Sequence, residues 1–231
     1  MSNSPAALVL EHTPGLQHHF ADMEQQRNAS SLGMWIFLGT EIMFFGGMFL
    51  AYLVYRMWYF NEFAAGSRTL NLLVGAVNTA VLICSSLTVA LSVRAAQLGK
   101  RTLLVTLLAL TILFGLVFLG VKAYEWDEKF TEHHVPGYSF HFQPESPEKP
   151  VDQGHAQIFF SLYFAMTGMH ALHMIIGVGI FSVITWMAWR GRFTPEYHTP
   201  VEIAGLYWHF VDIVWIYLFP LLYLIDRRPH G

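Results

Sequence analysis

Five stretches of this chain are apolar for long enough to cross a bilayer, and this restricts the possible folds more than any other feature. A hydrocarbon core of about 30 Å needs about 20 mostly apolar residues in a helix. The stretches cover about 31–55, 71–93, 103–124, 156–189 and 201–225. The expected fold class is therefore all-α, an integral membrane bundle of five transmembrane helices. The fourth stretch is longer than a bilayer core at about 1.5 Å per residue, so it must tilt or protrude.

The organisation follows from these runs. Residues 1–30 form a polar N-terminal tail, 31–225 the membrane domain, 126–155 a long extramembrane loop and 226–231 a C-terminal tail. The N-terminal tail has no apolar stretch like that of a signal peptide. The loop is acidic and rich in His and Pro, whereas the links 94–101 and 190–200 are short and basic. Basic residues concentrated in short links favour the cytoplasmic side. They place the N-terminus in the cytoplasm and, with an odd number of spans, the C-terminus in the periplasm.

Composition narrows the function. Only 13% of the residues are charged and 54% are hydrophobic, whereas soluble domains carry about 25% charged residues. A net charge of -3 argues against nucleic acid, which calls for a basic patch. The single cysteine, Cys84, excludes an internal disulfide and cysteine-rich metal centres. Its apolar surroundings predict a small buried hydrophobe.

Ionisable residues inside a membrane span are costly and mark candidate sites. Glu41 stands in the first run with no cation within a helical turn. It is protonated, paired with a group from another helix, or part of a proton relay. His170 and His173 are spaced by one turn in the fourth run, as His209 and Asp212 are in the fifth. These groups fit either a metal or haem site or hydrogen bonds across helices, with Asp212 holding the His209 ring in one tautomer. Lys122, Glu125 and Asp127 end the third run, where long side chains can snorkel to the interface. Tyr207-Trp208 and Trp186 with Trp189 read as interfacial anchors.

Several of these stretches resemble one known family. Gly33-Met34-Trp35-Ile36-Phe37-Leu38-Gly39-Thr40-Glu41-Ile42-Met43-Phe44-Phe45 resembles the carboxylate-bearing helix of cytochrome oxidase subunit III. Asn78-Thr79 with the apolar run that follows is similar to that family's next helix, and Glu125-Trp126 to the end of the one after. Thr167-Gly168-Met169-His170-Ala171-Leu172-His173 resembles its Gly-x-His-x-x-His pattern. Tyr207-Trp208-His209-Phe210-Val211-Asp212-Ile213-Val214-Trp215 is similar to the signature of its last helix. The resemblance runs in order from about Ser31 to Ile225. Longer members have two further N-terminal helices, and the loop 126–155 exceeds the family's usual one.

The resemblance implies a subunit III of a haem-copper terminal oxidase in a bacterial inner membrane. Such a subunit works in aerobic respiration, where cytochrome c oxidation is coupled to oxygen reduction and proton translocation. It implies a chain with no haem, copper or other metal of its own, packed on subunit I beside subunit II, with a respiratory supercomplex among the candidate partners. It also implies structural phospholipid and a role in sustaining proton uptake. Glu41, His170, His173, His209 and Asp212 match the family's intramembrane polar positions. Glu125, Arg190, Arg192, Glu202 and Trp208 are candidates for subunit interfaces or lipid, with an arginine meeting a lipid phosphate. Three other readings remain open: subunit III of a quinol oxidase, a homologue associated with nitric oxide reductase, and, from a different class, a small membrane transporter.

Overall fold

The computed structural model describes residues 20–138, 140–142 and 151–225. Most of the expected N-terminal tail, the 226–231 tail and residues 143–150 of the long loop lie outside the described residues. Within them the chain forms six helices: α1 Met23–Trp58, α2 Phe60–Arg68, α3 Leu72–Gln97, α4 Arg101–Thr131, α5 Gln153–Trp189 and α6 Thr199–Tyr223. Five of these, all except α2, are long and apolar enough to cross a membrane.

The helix ends follow local rules of capping. Asp22, Asn71 and Asp152 each accept hydrogen bonds from backbone N–H groups of the first turn they precede, which satisfies donors a helix leaves open. Pro200 sits in the first turn of α6, where its missing N–H costs nothing. The two short basic links reverse the chain through Gly99 and Gly191 at φ +65° and +74°. A side chain at either place would be strained. The α1 and α5 helices, of 36 and 37 residues, are longer than a bilayer core requires, and α1 begins eight residues before its apolar run.

One end of the bundle gathers the start of α1, the α3–α4 link and the α5–α6 link; the other gathers α2, the long loop and the end of α6. Helix α6 lies at the centre, against α1, α3 and α5. Its Trp208, Trp215, Leu218 and Leu222 are fully buried. Trp208 fills a slot between two neighbours: a Cβ on Gly115 of α4 would come within 2.8 Å of its ring, and one on Gly177 of α5 within 2.9 Å. Small residues let spanning helices approach in this way. Trp208 is thus a core residue that joins three helices, not the interfacial anchor the sequence suggests. Cys84 is also reversed, because it is exposed on the outer face of α3. The outward faces carry Trp35, Met43, Leu73, Leu113 and Val183, all exposed, as lipid contact requires.

Helix α2 folds back under the bundle, where the sequence assigns no element. Its Phe63 is buried and rests edge-on against Tyr52 and Phe159.

Candidate functional site

The polar groups of the membrane domain occupy three levels. At mid-depth, Glu41 of α1 reaches His173 of α5, with Oε2 3.2 Å from Nε2. The other ring nitrogen, Nδ1, stands 2.8 Å from the Met169 carbonyl. A carbonyl only accepts, so Nδ1 bears hydrogen. The Glu41–His173 contact therefore holds one proton, on the carboxyl or on the ring. Tyr207 donates to the His173 carbonyl at 3.0 Å, and Phe45 packs edge-on against the ring. The pair pins α1, otherwise the most loosely held span, to the bundle.

One turn away on α5, His170 points elsewhere. It is fully buried between Phe118 of α4 and Trp215 of α6, with ring centroids 5.4 and 5.1 Å away. Neither of its nitrogens has a hydrogen-bond partner. His209 of α6 bonds through Nδ1 to the Ser86 hydroxyl of α3 at 2.7 Å. Ser86, not Asp212, orients this ring. Asp212 is buried at 3% exposure, and neither carboxyl oxygen has a hydrogen-bond partner among the described residues. Ser86, His209 and Asp212 together line a cavity of about 250 Å³ between α3 and α6.

The second level lies towards the α2 end. Lys122 and Glu125, one turn apart on α4, are both about 3% exposed. They face inward instead of snorkelling. The Lys122 ammonium donates to Glu125 Oε1 at 2.9 Å, to the Tyr223 hydroxyl at 3.0 Å and to the Tyr163 hydroxyl at 3.2 Å. Its three N–H groups thus meet three acceptors. Both tyrosines donate onward to Glu125: Tyr163 through a short bond to Oε1, and Tyr223 at 2.6 and 2.8 Å to Oε1 and Oε2. The Trp215 ring lies 5.1 Å from the ammonium. The cluster joins α4, α5 and α6.

The third level is the basic end. Glu202 at the start of α6 accepts from Gln97 of α3 at 2.9 Å and lies 3.1 Å from His198 Nε2 and 3.7 Å from Arg27 of α1. Its contacts are ties between helix ends. Arg190 lies over the Trp186 ring at 4.1 Å, and it and Arg192 are exposed. Among the described residues, no three of His, Cys, Asp and Glu converge as a metal-binding group.

Known proteins match this arrangement over most of its length. The chain is 32% identical to cytochrome c oxidase subunit 3 of Thermostichus vulcanus over 85% of this chain and 87% of that one. It is 33% identical to the subunit of the same name from Corynebacterium diphtheriae, over 86% and 89%. The chain belongs to the cytochrome c oxidase subunit III family. It is a subunit III of a haem-copper oxidase, a multi-pass membrane protein of a respiratory complex. A probable quinol oxidase subunit 3 of Staphylococcus haemolyticus is also similar, 30% identical over 87% of this chain and 92% of that one.

The family profile described as cytochrome c oxidase subunit III matches residues 153–226. This stretch is α5 and α6, and it carries His170, His173, Arg190, Arg192, Glu202, Trp208, His209 and Asp212. Glu41 and Glu125 of this subunit III chain lie outside it, and each meets a residue inside it. The sequence reading missed Ser86, Tyr163 and Tyr223. Each is a polar residue in an apolar run, but its partner lies on another helix, and only the packing reveals the pairing.

Proposed function

We propose that this subunit III carries no redox centre and acts by packing on subunit I of the oxidase, next to subunit II. There it holds structural phospholipid and sustains proton uptake. The haem and copper belong to the partner subunits. The observation behind this reading is how the intramembrane histidines are used. His173 spends both nitrogens on Glu41 and Met169, His209 bonds Ser86, and His170 is enclosed by aromatic rings. His170 and His173 are turned towards helix packing, and among the described residues no three of His, Cys, Asp and Glu converge as a metal-binding group. The exposed Arg190 and Arg192 at the basic end suit a lipid phosphate. The concentration of basic residues in the two short links of that end supports a cytoplasmic N-terminus in a bacterial inner membrane.

Cytochrome c is the electron donor on this reading, in line with the names of most of the similar proteins. A quinol donor is the second reading, carried by the similarity to the Staphylococcus haemolyticus subunit. The test is purification of the tagged chain from mild detergent. A haem-bearing subunit I should come with it, and native mass spectrometry should find bound phospholipid. A visible spectrum of the separated chain should be flat; a stoichiometric haem or copper signal in it would overturn the reading.

A further inference from the structure

Most buried polar groups in this bundle have partners; Asp212 is an exception with space in front of it. Its carboxyl is buried, neither oxygen has a hydrogen-bond partner, and it lines the cavity of about 250 Å³ between α3 and α6. Leu82 and Ile83 form one wall of that cavity and Ile213 and Ile216 the other, with Ser86 and His209 beside the carboxyl. Ile83, Ile213 and Ile216 are exposed, so the cavity faces the outside of the bundle. The Ser86 hydroxyl is engaged with His209. That bond uses one hydrogen of the Ser86–His209 pair, and the pair's other hydrogen meets neither Asp212 oxygen at hydrogen-bond geometry.

Depth narrows the occupant. Asp212 is near the middle of α6, which runs from Thr199 to Tyr223, and Ser86 is near the middle of α3, from Leu72 to Gln97. At about 1.5 Å per residue the carboxyl is roughly 16–20 Å from either end of α6. A lipid headgroup lies outside a hydrocarbon core of about 30 Å and does not reach that depth. An acyl chain reaches it but brings no donor. A side chain on another spanning helix brings both apolar surface and a donor, and polar residues at this depth typically join helices.

We propose that the outer face of α3 and α6 around Asp212 docks a transmembrane helix of a neighbouring oxidase subunit, whose donor side chain enters the cavity and bonds the Asp212 carboxyl. This rests on the reading that the chain is packed within the oxidase. It adds which face makes the contact and which group anchors it. Among the described residues neither Asp212 oxygen has a hydrogen-bond partner to lose, so the residue serves the assembly more than the fold.

The test uses the whole oxidase in native membranes. Ile213 and Ile216 are each replaced by a photo-crosslinking amino acid, and so, for comparison, are the exposed Met43 of α1 and Leu113 of α4. Crosslinks from 213 and 216 to a membrane-spanning oxidase subunit are expected. If those positions capture only lipid while Met43 or Leu113 captures an oxidase subunit, the proposed face is wrong and membership of the complex stands. If no position captures an oxidase subunit, the packing reading falls and the proposal with it. In parallel, Asp212→Leu should lower retention of the chain per haem about tenfold, because the partner's donor is left unsatisfied. Asp212→Asn, which keeps an acceptor, should be retained within about twofold of the parent. The level of Asp212→Leu chain in native membranes, and its resistance there to limited proteolysis, should not fall. Full retention of Asp212→Leu, or a chain whose level and resistance drop along with retention, would overturn the proposal.

Discussion

Two buried carboxyl groups in this bundle, Glu125 and Asp212, receive opposite treatment. Glu125 accepts from Lys122, Tyr163 and Tyr223, and every N–H of the lysine is used in turn. Asp212 has no hydrogen-bond partner and faces a cavity. The first is a closed network whose members need nothing from outside the chain. The second is open, and any partner must come from elsewhere. Burial alone does not separate structural from interfacial polar groups in a membrane protein; what separates them is whether the donors and acceptors balance within the chain.

The strongest way to break this comparison is to open the closed network. Lys122→Met leaves the Glu125 carboxylate with two tyrosine donors and no cation. Removing one partner of a buried ion pair costs about 3–5 kcal/mol, whereas replacing both with apolar or neutral groups is often close to neutral. Thermal unfolding in mild detergent should show a large loss for Lys122→Met, and Lys122→Met/Glu125→Gln should recover most of it. A double variant no better than the single one would show that the cluster is not a closed network.

An intermediate case is Glu41, which has one strong partner, His173. Glu41→Leu leaves His173 Nε2 unsatisfied at about 1–3 kcal/mol and should loosen α1, seen as lost assembly or activity that decays during turnover. Glu41→Gln keeps the size and the hydrogen bond and should leave initial oxygen reduction near normal. Loss of steady-state turnover in Glu41→Gln with the complex intact would place Glu41 on an essential proton route instead.

How far the sequence reveals this arrangement depends on the kind of information involved. The five spans are legible because about 20 apolar residues identify a spanning helix by composition alone. The inward face of each helix is not. In lipid the outer surface is as apolar as the core, so the pattern that marks the buried face of a soluble helix fades. Cys84 is expected inside and lies outside; Trp208 is expected at an interface and lies in the core. The polar residues are legible as candidates but not as pairs. Lys122 and Glu125 announce each other by spacing, whereas Tyr163, Tyr223 and Ser86 are tied to their partners only by the fold. Helix α2 is hidden because its nine residues, though apolar at Phe60, Phe63 and Ala64, are too few to establish a period.

His170 sharpens the comparison from the other side. Like Asp212 it lacks partners among the described residues, but the rings of Phe118 and Trp215 close around it. An unsatisfied polar group enclosed in a core weakens the fold by the cost of its desolvation. His170→Leu, of similar volume, should leave the unfolding free energy unchanged or raise it by about 1–3 kcal/mol. A loss of stability instead would reveal a partner, such as a buried water, that holds the ring.

The smallest effect is expected outside the membrane, where the same logic becomes a dependence on pH. His134 is packed against Phe142 and Phe160, with ring centroids 5.3 and 4.9 Å away. Burial holds its pKa below the usual histidine range; the Glu132 carboxylate, with Oε2 2.9 Å from Nδ1, pulls the other way without prevailing, and Lys129 and His133 oppose the charge further. The folded segment thus prefers the neutral ring. Above the free histidine value of about 6.5 both states are neutral at this position, and His134 adds no pH dependence. As pH falls through that value towards the lower folded pKa, the unfolded segment takes up a proton first, so stability is lost. The Phe142 backbone is held by Gln153, which accepts from its N–H at 3.0 Å and donates to its carbonyl at 2.6 Å. Hydrogen exchange at the Phe142 amide, corrected for its intrinsic rate, should therefore lose protection between pH of about 7.5 and about 5.5. His134→Phe should flatten that profile. An unchanged slope in the variant would assign the titration to another group of the segment.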